Sequence, residues 1–257
     1  MLILLSPAKT MEMSPRAMAQ LPTETEPMFA DEAQTLVAAM RGFSEEELAR
    51  MLKISPKLAA QGKERYRCFG QPSNPRKAAI AAYNGSVFRA IDVSSLTSDD
   101  LLYAQDRLRI VSILYGLLRP LDRIEAYRLS YEVKLFPGQR SLYDFWSPKL
   151  TEPLIADVAA VGGVLVNLAS LDVQGAFRMD ALRQTVRMVT PEFQERRKGR
   201  YVTVQTYAKM CRGAMTRYII RHRIESPDDL RAFSWNGFEF DAAVSDDGRL
   251  VFSREGR

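Results

Sequence analysis

At 257 residues, 46% apolar and 26% charged, the chain is long enough to bury a substantial core as one large unit or two small ones. One histidine and two cysteines exclude a disulfide framework and leave no soft-ligand set for a zinc, haem or iron–sulfur site, so no metal and no cofactor are expected. The formal charge of +5 is uneven: Arg178 to Arg223 holds twelve Lys or Arg against Asp180, Glu192 and Glu195, a local +9 that leaves −4 for the rest.

That basic segment, 178–223, points to a polyanionic partner or a phosphate-bearing ligand, or else to a solvated arginine-rich surface. No apolar run reaches 18 residues, and the start, Met1-Leu-Ile-Leu-Leu5-Ser-Pro, is too short and too uncharged for a signal peptide. A cytoplasmic protein with no membrane partner is expected. No repeat, low-complexity tract or Gly/Ser linker divides the chain, so 1–257 reads as one compact domain.

Leu2 to Leu5 predicts a short interior strand running into Ser6-Pro-Ala-Lys9. A lysine one loop past a strand contacts an anion or is simply solvated; the glycines of a P-loop are missing. Residues 14–28 hold three prolines and no periodicity and read as a surface loop. An amphipathic helix is predicted over 29–41. Ser44-Glu-Glu-Glu47 forms a capping box opening a second helix to about Lys53. Ser55-Pro56 places an N-cap before an N1 proline, starting a third helix toward Arg67. The pair over 44–67 is a candidate helix-hairpin-helix in which Lys53, Ser55, Lys57 and Lys63 meet a phosphate backbone. Its hairpin lacks glycines, so it also reads as a plain helical pair.

Ala78 to Tyr83 predicts a strand turned by Asn84-Gly85. Thr97 or Ser98 before Asp99-Asp100 caps a helix to about Leu108, and Ile110 to Tyr115 is the next strand. Tyr115-Gly-Leu-Leu-Arg-Pro-Leu-Asp122 then breaks on Gly116 and Pro120. An arginine beside a proline at the end of a core strand is costly to bury alone, so Arg119 pairs with a carboxylate such as Asp122 or faces an anion. Loops past strands are also where α/β proteins keep their chemistry.

Leu142 to Val161 reads as a helix with an early break at Pro148 and Pro153, and Val164 to Val166 as a buried strand ending in Asn167-Leu-Ala-Ser170. Thr185 to Phe193 and Tyr201 to Tyr207 predict a hairpin around Arg196–Arg200. A long helix follows from Ala208 to Ile224. Residues 238–244 and 249–253 make a last hairpin across Asp246-Asp-Gly248. Strands mixed with helices, without strict alternation, predict an α/β protein of α+β character: a single mixed sheet flanked by helices.

On the long helix, Lys209, Arg212, Arg217, Arg221 and Arg223 share one broad face, either solvated or suited to phosphate. Ala208, Cys211, Ala214, Met215, Tyr218, Ile219 and His222 share the other, and His222 therefore reads as a core residue. Tyr127-Arg128 and Tyr143-Asp-Phe-Trp146 read as caps or stacked aromatics.

Taken together, Ser6-Pro-Ala-Lys9, Tyr83-Asn-Gly with Val87, Tyr115 to Asp122, Tyr127-Arg-Leu129, Leu142 to Trp146, Asn167 to Ser170, Tyr207-Ala-Lys209 and Arg212-Gly-Ala-Met215 resemble, in order, the motifs of the YaaA family of bacterial proteins. The resemblance spans essentially the whole chain. It implies a single mixed α/β fold of the family's own and a cytoplasmic role in the peroxide-stress response that limits unincorporated iron. It also implies a positively charged cleft and a helix-hairpin-helix associated with DNA, which by position falls on 44–67. The chain departs from the family pattern at Ser130, where glutamate is usual, at Leu171-Asp-Val173, and at Met210-Cys211.

Two functional readings follow. The first is non-specific DNA binding in the stress response through Lys53, Ser55, Lys57 and Lys63. The second is an enzyme acting on a phosphorylated or nucleotide-like small molecule. Here Ser6, Tyr115, Arg119, Arg128, Asn167, Arg212 and Arg217 bind the anion, with Lys9 or Lys209 as general acid or base. Because several family motifs put a cation or amide at a strand end, a shared anionic pocket is expected for Arg119 over a private ion pair with Asp122. Direct iron storage is disfavoured by the ligand count.

Overall fold

The computed structural model describes residues 1–14 and 22–256. In chain order the first elements are β1 (Leu2–Leu5), α1 (Ala30–Arg41), α2 (Glu45–Leu52), α3 (Pro56–Cys68), β2 (Lys77–Ala78), α4 (Ala79–Ala82), α5 (Ser86–Ile91) and α6 (Ser98–Arg107). Next come β3 (Leu108–Ser112), β4 (Gly116–Leu118), β5 (Arg123–Ile124), α7 (Leu142–Ala160), β6 (Val164–Asn167) and α8 (Met179–Thr185). The chain ends with β7 (Arg187–Arg197), β8 (Arg200–Val202), α9 (Gln205–His222), β9 (Glu239–Phe240) and β10 (Arg249–Glu255).

Eight strands form one mixed sheet in the order β4-β3-β1-β6-β7-β10-β9, with β8 attached to β7. The interior is parallel: β1 pairs β3 through Ile3–Leu108 and β6 through Ile3–Val166, and β7 pairs both β6 and β10 in parallel. Antiparallel strands β4, β8 and β9 close its margins. All four β1 residues are buried, as an uninterrupted apolar run requires of a strand covered on both faces. From β1 the chain first builds β3 and β4 on one side, then crosses to build β6, β7 and β10 on the other. The crevice between β1 and β6 is therefore the topological switch point of the sheet.

All three expected capping signals operate, Thr97 with Asp100 closing the box on α6. Ser44 and Glu47 close a reciprocal capping box on α2, and the Ser55 hydroxyl caps α3 over Pro56. The segment 78–83 is corrected from a strand: Ala78 pairs Arg123 and Tyr83 makes an isolated bridge with Met11, but the alanine-rich Ala79–Ala82 between them closes a helical turn. The expected break in 142–161 does not occur. α7 runs through Pro148 and Pro153 because burial of Trp146, Leu150, Leu154 and Val158 outweighs the lost backbone bonds. Thr185 ends α8, and the β7–β8 hairpin turns tightly on Lys198-Gly199, both at positive φ. Tyr207 lies on α9 and not on a strand. In the last hairpin only Glu239 and Phe240 pair β10, and Ala242–Val244 winds into a 3-10 turn. Of the loop expected over 14–28, residues 15–21 lie outside the described residues.

The long helix α9 buries Ala208, Cys211, Ala214, Met215 and Ile219 as its pattern predicts, but His222 is exposed and rests on Tyr218 at 4.7 Å. Its rotation brings Gly213 against α5, where a Cβ would stand 2.0 Å from the Val87 carbonyl oxygen.

Candidate functional site

Side by side, the carboxyl ends of β1 and β6 open into a cleft of about 380 Å³. Ser6 to Lys9 line it from β1, and Ser170, Asp172 and Val173 from the segment after β6. The loop after β5 contributes Tyr127 to Glu132, the α2–α3 turn adds Leu52 and Ile54, and α7 adds Tyr143. Ligands of open α/β sheets bind at this position because the chain leaves neighbouring strands in opposite directions there.

The two strand-end loops are tied together. Ser6 Oγ lies 2.9 Å from Ser170 Oγ and accepts the Ser170 N–H at 2.8 Å. Asn167, almost fully buried, turns the β6 loop by accepting the Ala169 N–H on Oδ1 at 3.2 Å, while the Leu168 N–H donates to the Leu4 carbonyl at 3.0 Å. Asn167 thus shapes the cleft without lining it.

The cations of the cleft are Lys9, exposed, and Arg128, half-buried. Neither side chain makes an ion pair or hydrogen bond among the described residues. Arg65 stands behind Arg128, donating to the Tyr127 carbonyl at 3.3 Å. Burial first, and then the neighbouring Arg128 charge, lower the Arg65 pKa. Among the anions, Asp172 is exposed and Glu132 pairs with Lys53 at 3.3 Å. Aromatic lining comes from Tyr127, whose hydroxyl sits 2.9 Å from that of Tyr83 and 2.8 Å from Ser112 Oγ, and from Tyr131 stacked on Tyr143. The Tyr131 hydroxyl is buried with no hydrogen-bond partner among the described residues, and desolvation drives its pKa well above the ordinary phenol value.

The structure therefore gathers Ser6, Lys9 and Arg128 from the expected set and disperses the rest. Arg119 does not reach the cleft. Its guanidinium donates from Nε and Nη2 to the fully buried Asp122 at 3.1 and 3.0 Å and to the Glu26 carbonyl, so the private ion pair replaces the expected shared pocket. Tyr115 lines a separate cavity of about 430 Å³ with Glu125 and Arg76, and its hydroxyl accepts the Glu125 N–H at 2.9 Å. Arg217 pairs with Asp92 at 3.3 Å on α5's end. Arg212 is half-buried on α9; burial lowers its pKa and the nearby Asp172 charge opposes that shift. Lys209 is exposed outside the cleft.

The lysines read as DNA contacts are split as well. Lys63 donates to the Arg41 and Phe43 carbonyls at 2.7 and 2.6 Å, Lys53 holds Glu132, Ser55 caps α3, and Lys57 is exposed. A helical pair joined by Lys53-Ile54-Ser55 is present; nothing in its geometry distinguishes it as a DNA-binding hairpin. The basic segment is partly balanced in the fold, since Arg178, Arg196, Arg197, Arg217 and Arg223 each pair with a carboxylate.

Reading the sequence missed Tyr131, Glu132, Tyr143 and Asp172 as cleft residues. A signal for two of these loops existed. The departures at Ser130 and at Leu171-Asp-Val173 fall beside Tyr131 and on Asp172, and Ser130 and Val173 also line the cleft.

A family model described as peroxide stress protein YaaA matches residues 1–244. The chain is 45% identical over 254 residues to a UPF0246 protein of Bacteroides fragilis, covering 98% of each chain. It is similar at 45% identity to one of Phocaeicola vulgatus, covering 98% of this chain and 99% of the relative. With one of Clostridium beijerinckii it shares 38% identity over 257 residues, 99% of this chain and 98% of the relative.

Proposed function

Because this chain belongs to the YaaA family of peroxide stress proteins, we propose that it serves that response by binding a phosphate-bearing small molecule in the cleft between β1 and β6. One observation carries the reading: Lys9 and Arg128 line the same cleft at the switch point of the sheet with no carboxylate partner among the described residues, whereas Arg119 and Arg217 are paired. Unpaired cations at strand ends are what a bound phosphate neutralises. Ser6 and Ser170 offer hydroxyl contacts to the same group. Lys9 is the side chain positioned to exchange a proton with a bound ester. The response acts in the cytoplasm and limits free iron through this ligand.

A second reading, non-specific DNA binding, is favoured by the exposed Lys57 at the start of α3. Calorimetric titration with inorganic pyrophosphate and ribose 5-phosphate distinguishes the two. Saturable binding lost in Lys9→Ala and Arg128→Ala supports the cleft. Absence of phosphate binding, with salt-sensitive duplex binding that depends on Lys57, gives the function to DNA.

A further inference from the structure

We infer that the cleft is built for a nucleoside 5′-monophosphate whose base is read by the Tyr131 hydroxyl; this rests on the phosphate-binding reading above. Tyr131 is 4% exposed, lines the cleft, and its Oη finds no acceptor or donor among the described residues. Native structures rarely retain a buried hydroxyl in that condition unless a ligand or water completes it.

The ring cannot swing away to find a partner. It stacks on Tyr143 with centroids 4.6 Å apart and 9° between planes. Tyr143 is itself held by donating to the Asp172 carbonyl at 2.6 Å, and the Tyr131 carbonyl accepts the Leu142 N–H at 2.8 Å. A donor fixed in place and left unused selects for an acceptor on the ligand, since analogues lacking it leave the same group unpaired.

The rest of the lining narrows the class. Lys9 and Arg128 call for an anion, while the exposed Asp172 calls for hydroxyl or amino donors on the same molecule. Leu52, Ile54, Ile113 and Val173 offer apolar surface to a flat ring. Inorganic phosphate answers only the first of these demands. A nucleoside monophosphate answers all three, and a cleft of about 380 Å³ is within the range of small-molecule sites.

The experiment titrates wild type and Tyr131→Phe with AMP, GMP, CMP, UMP and ribose 5-phosphate by calorimetry. Wild type is expected to bind at least one nucleotide about tenfold more tightly than ribose 5-phosphate. Tyr131→Phe is expected to lose about tenfold for that nucleotide and nothing for ribose 5-phosphate, the scale of one buried hydrogen bond. Thermal melting controls for folding: removing an unpartnered hydroxyl leaves the melting temperature equal or raised. Equal wild-type affinity for ribose 5-phosphate and every nucleotide overturns the inference and leaves the phosphate reading standing. An equal loss for all ligands in Tyr131→Phe, or no loss at all, overturns it too. If wild type binds none of the five, the phosphate reading falls and this inference with it.

Discussion

Arg119 and Asp122 close on each other across Pro120, with the Arg119 amide donating to Oδ2 at 2.7 Å and Nη2 to Oδ1 at 3.0 Å. Asp122 is fully buried and also receives the Thr25 hydroxyl at 2.6 Å, while Thr25 exchanges backbone bonds with Leu121 and Arg123. The pair therefore pins the segment around Thr25 to the turn between β4 and β5. Arg119→Met leaves that carboxylate with neutral donors only, at a cost of about 2 kcal/mol, a buried-pair loss discounted because the arginine is partly in solvent. Urea unfolding measures this. A variant of unchanged stability that loses phosphate binding would return Arg119 to the ligand site.

Gly213 carries the contact between α5 and α9. A methyl there would meet the Val87 carbonyl oxygen at 2.0 Å and Ala90 Cβ at 2.9 Å, distances that only movement of a helix relieves. Gly213→Ala is expected to destabilise by about 2–4 kcal/mol despite a helix-propensity gain of about 1 kcal/mol. Gly62, buried in α3, is the contrast, because nothing among the described residues outside its own helix backbone lies within 4 Å of its added Cβ. Gly62→Ala is expected to stabilise by about 0.5–1 kcal/mol. Parallel chemical denaturation of the two variants tests the pair, and equal signs would refute the packing account.

Local signals were the legible ones. The apolar run of β1, the Ser44 box and the Ser55-Pro56 start all depend on residues within a few positions of each other, and each forms as expected. Arg119 was misjudged because its two options, a carboxylate three residues on or a distant ligand, look the same in sequence; burial of Asp122 decides between them. His222 was misjudged because a helical wheel gives direction but not where the covering layer ends, one residue before the Arg223 cap. Tyr131 was invisible for another reason. It lies in the irregular stretch between β5 and α7, where no periodicity applies, and its unmet hydroxyl exists only once Leu142 and Tyr143 are folded over it.

The lysines of the α2–α3 region separate structure from recognition. Lys63 satisfies the Arg41 and Phe43 carbonyls at the end of α1, so Lys63→Met is expected to cost about 1 kcal/mol in stability and to leave any DNA affinity per folded molecule unchanged. Lys57 touches solvent, so Lys57→Ala is expected to keep stability within about 0.5 kcal/mol. If duplex DNA is a partner, that same change lowers the salt slope of binding by about 1. Fluorescence anisotropy across a salt series reads both, and a slope altered by Lys63→Met but not by Lys57→Ala would reverse the assignment.

Alkaline pH acts on the buried tyrosines, of which Tyr127 and Tyr131 line the cleft. Burial raises the phenol pKa of Tyr66, Tyr83, Tyr115, Tyr127 and Tyr131, five of the ten tyrosines in the chain. A phenol whose folded pKa lies above its unfolded value of about 10 contributes full stability below that pH and loses it as the pH rises further. The more exposed tyrosines should therefore ionise first. The five buried ones should ionise together, in a cooperative step that coincides with loss of the far-ultraviolet circular dichroism of the helices. Tyr131→Phe should shift that step to higher pH, since one ionisation that favours unfolding is gone. Stepwise ionisation of all ten with the helical signal intact would mean that solvent reaches the Tyr83–Tyr127–Ser112 hydroxyl cluster in the folded protein, contrary to its burial.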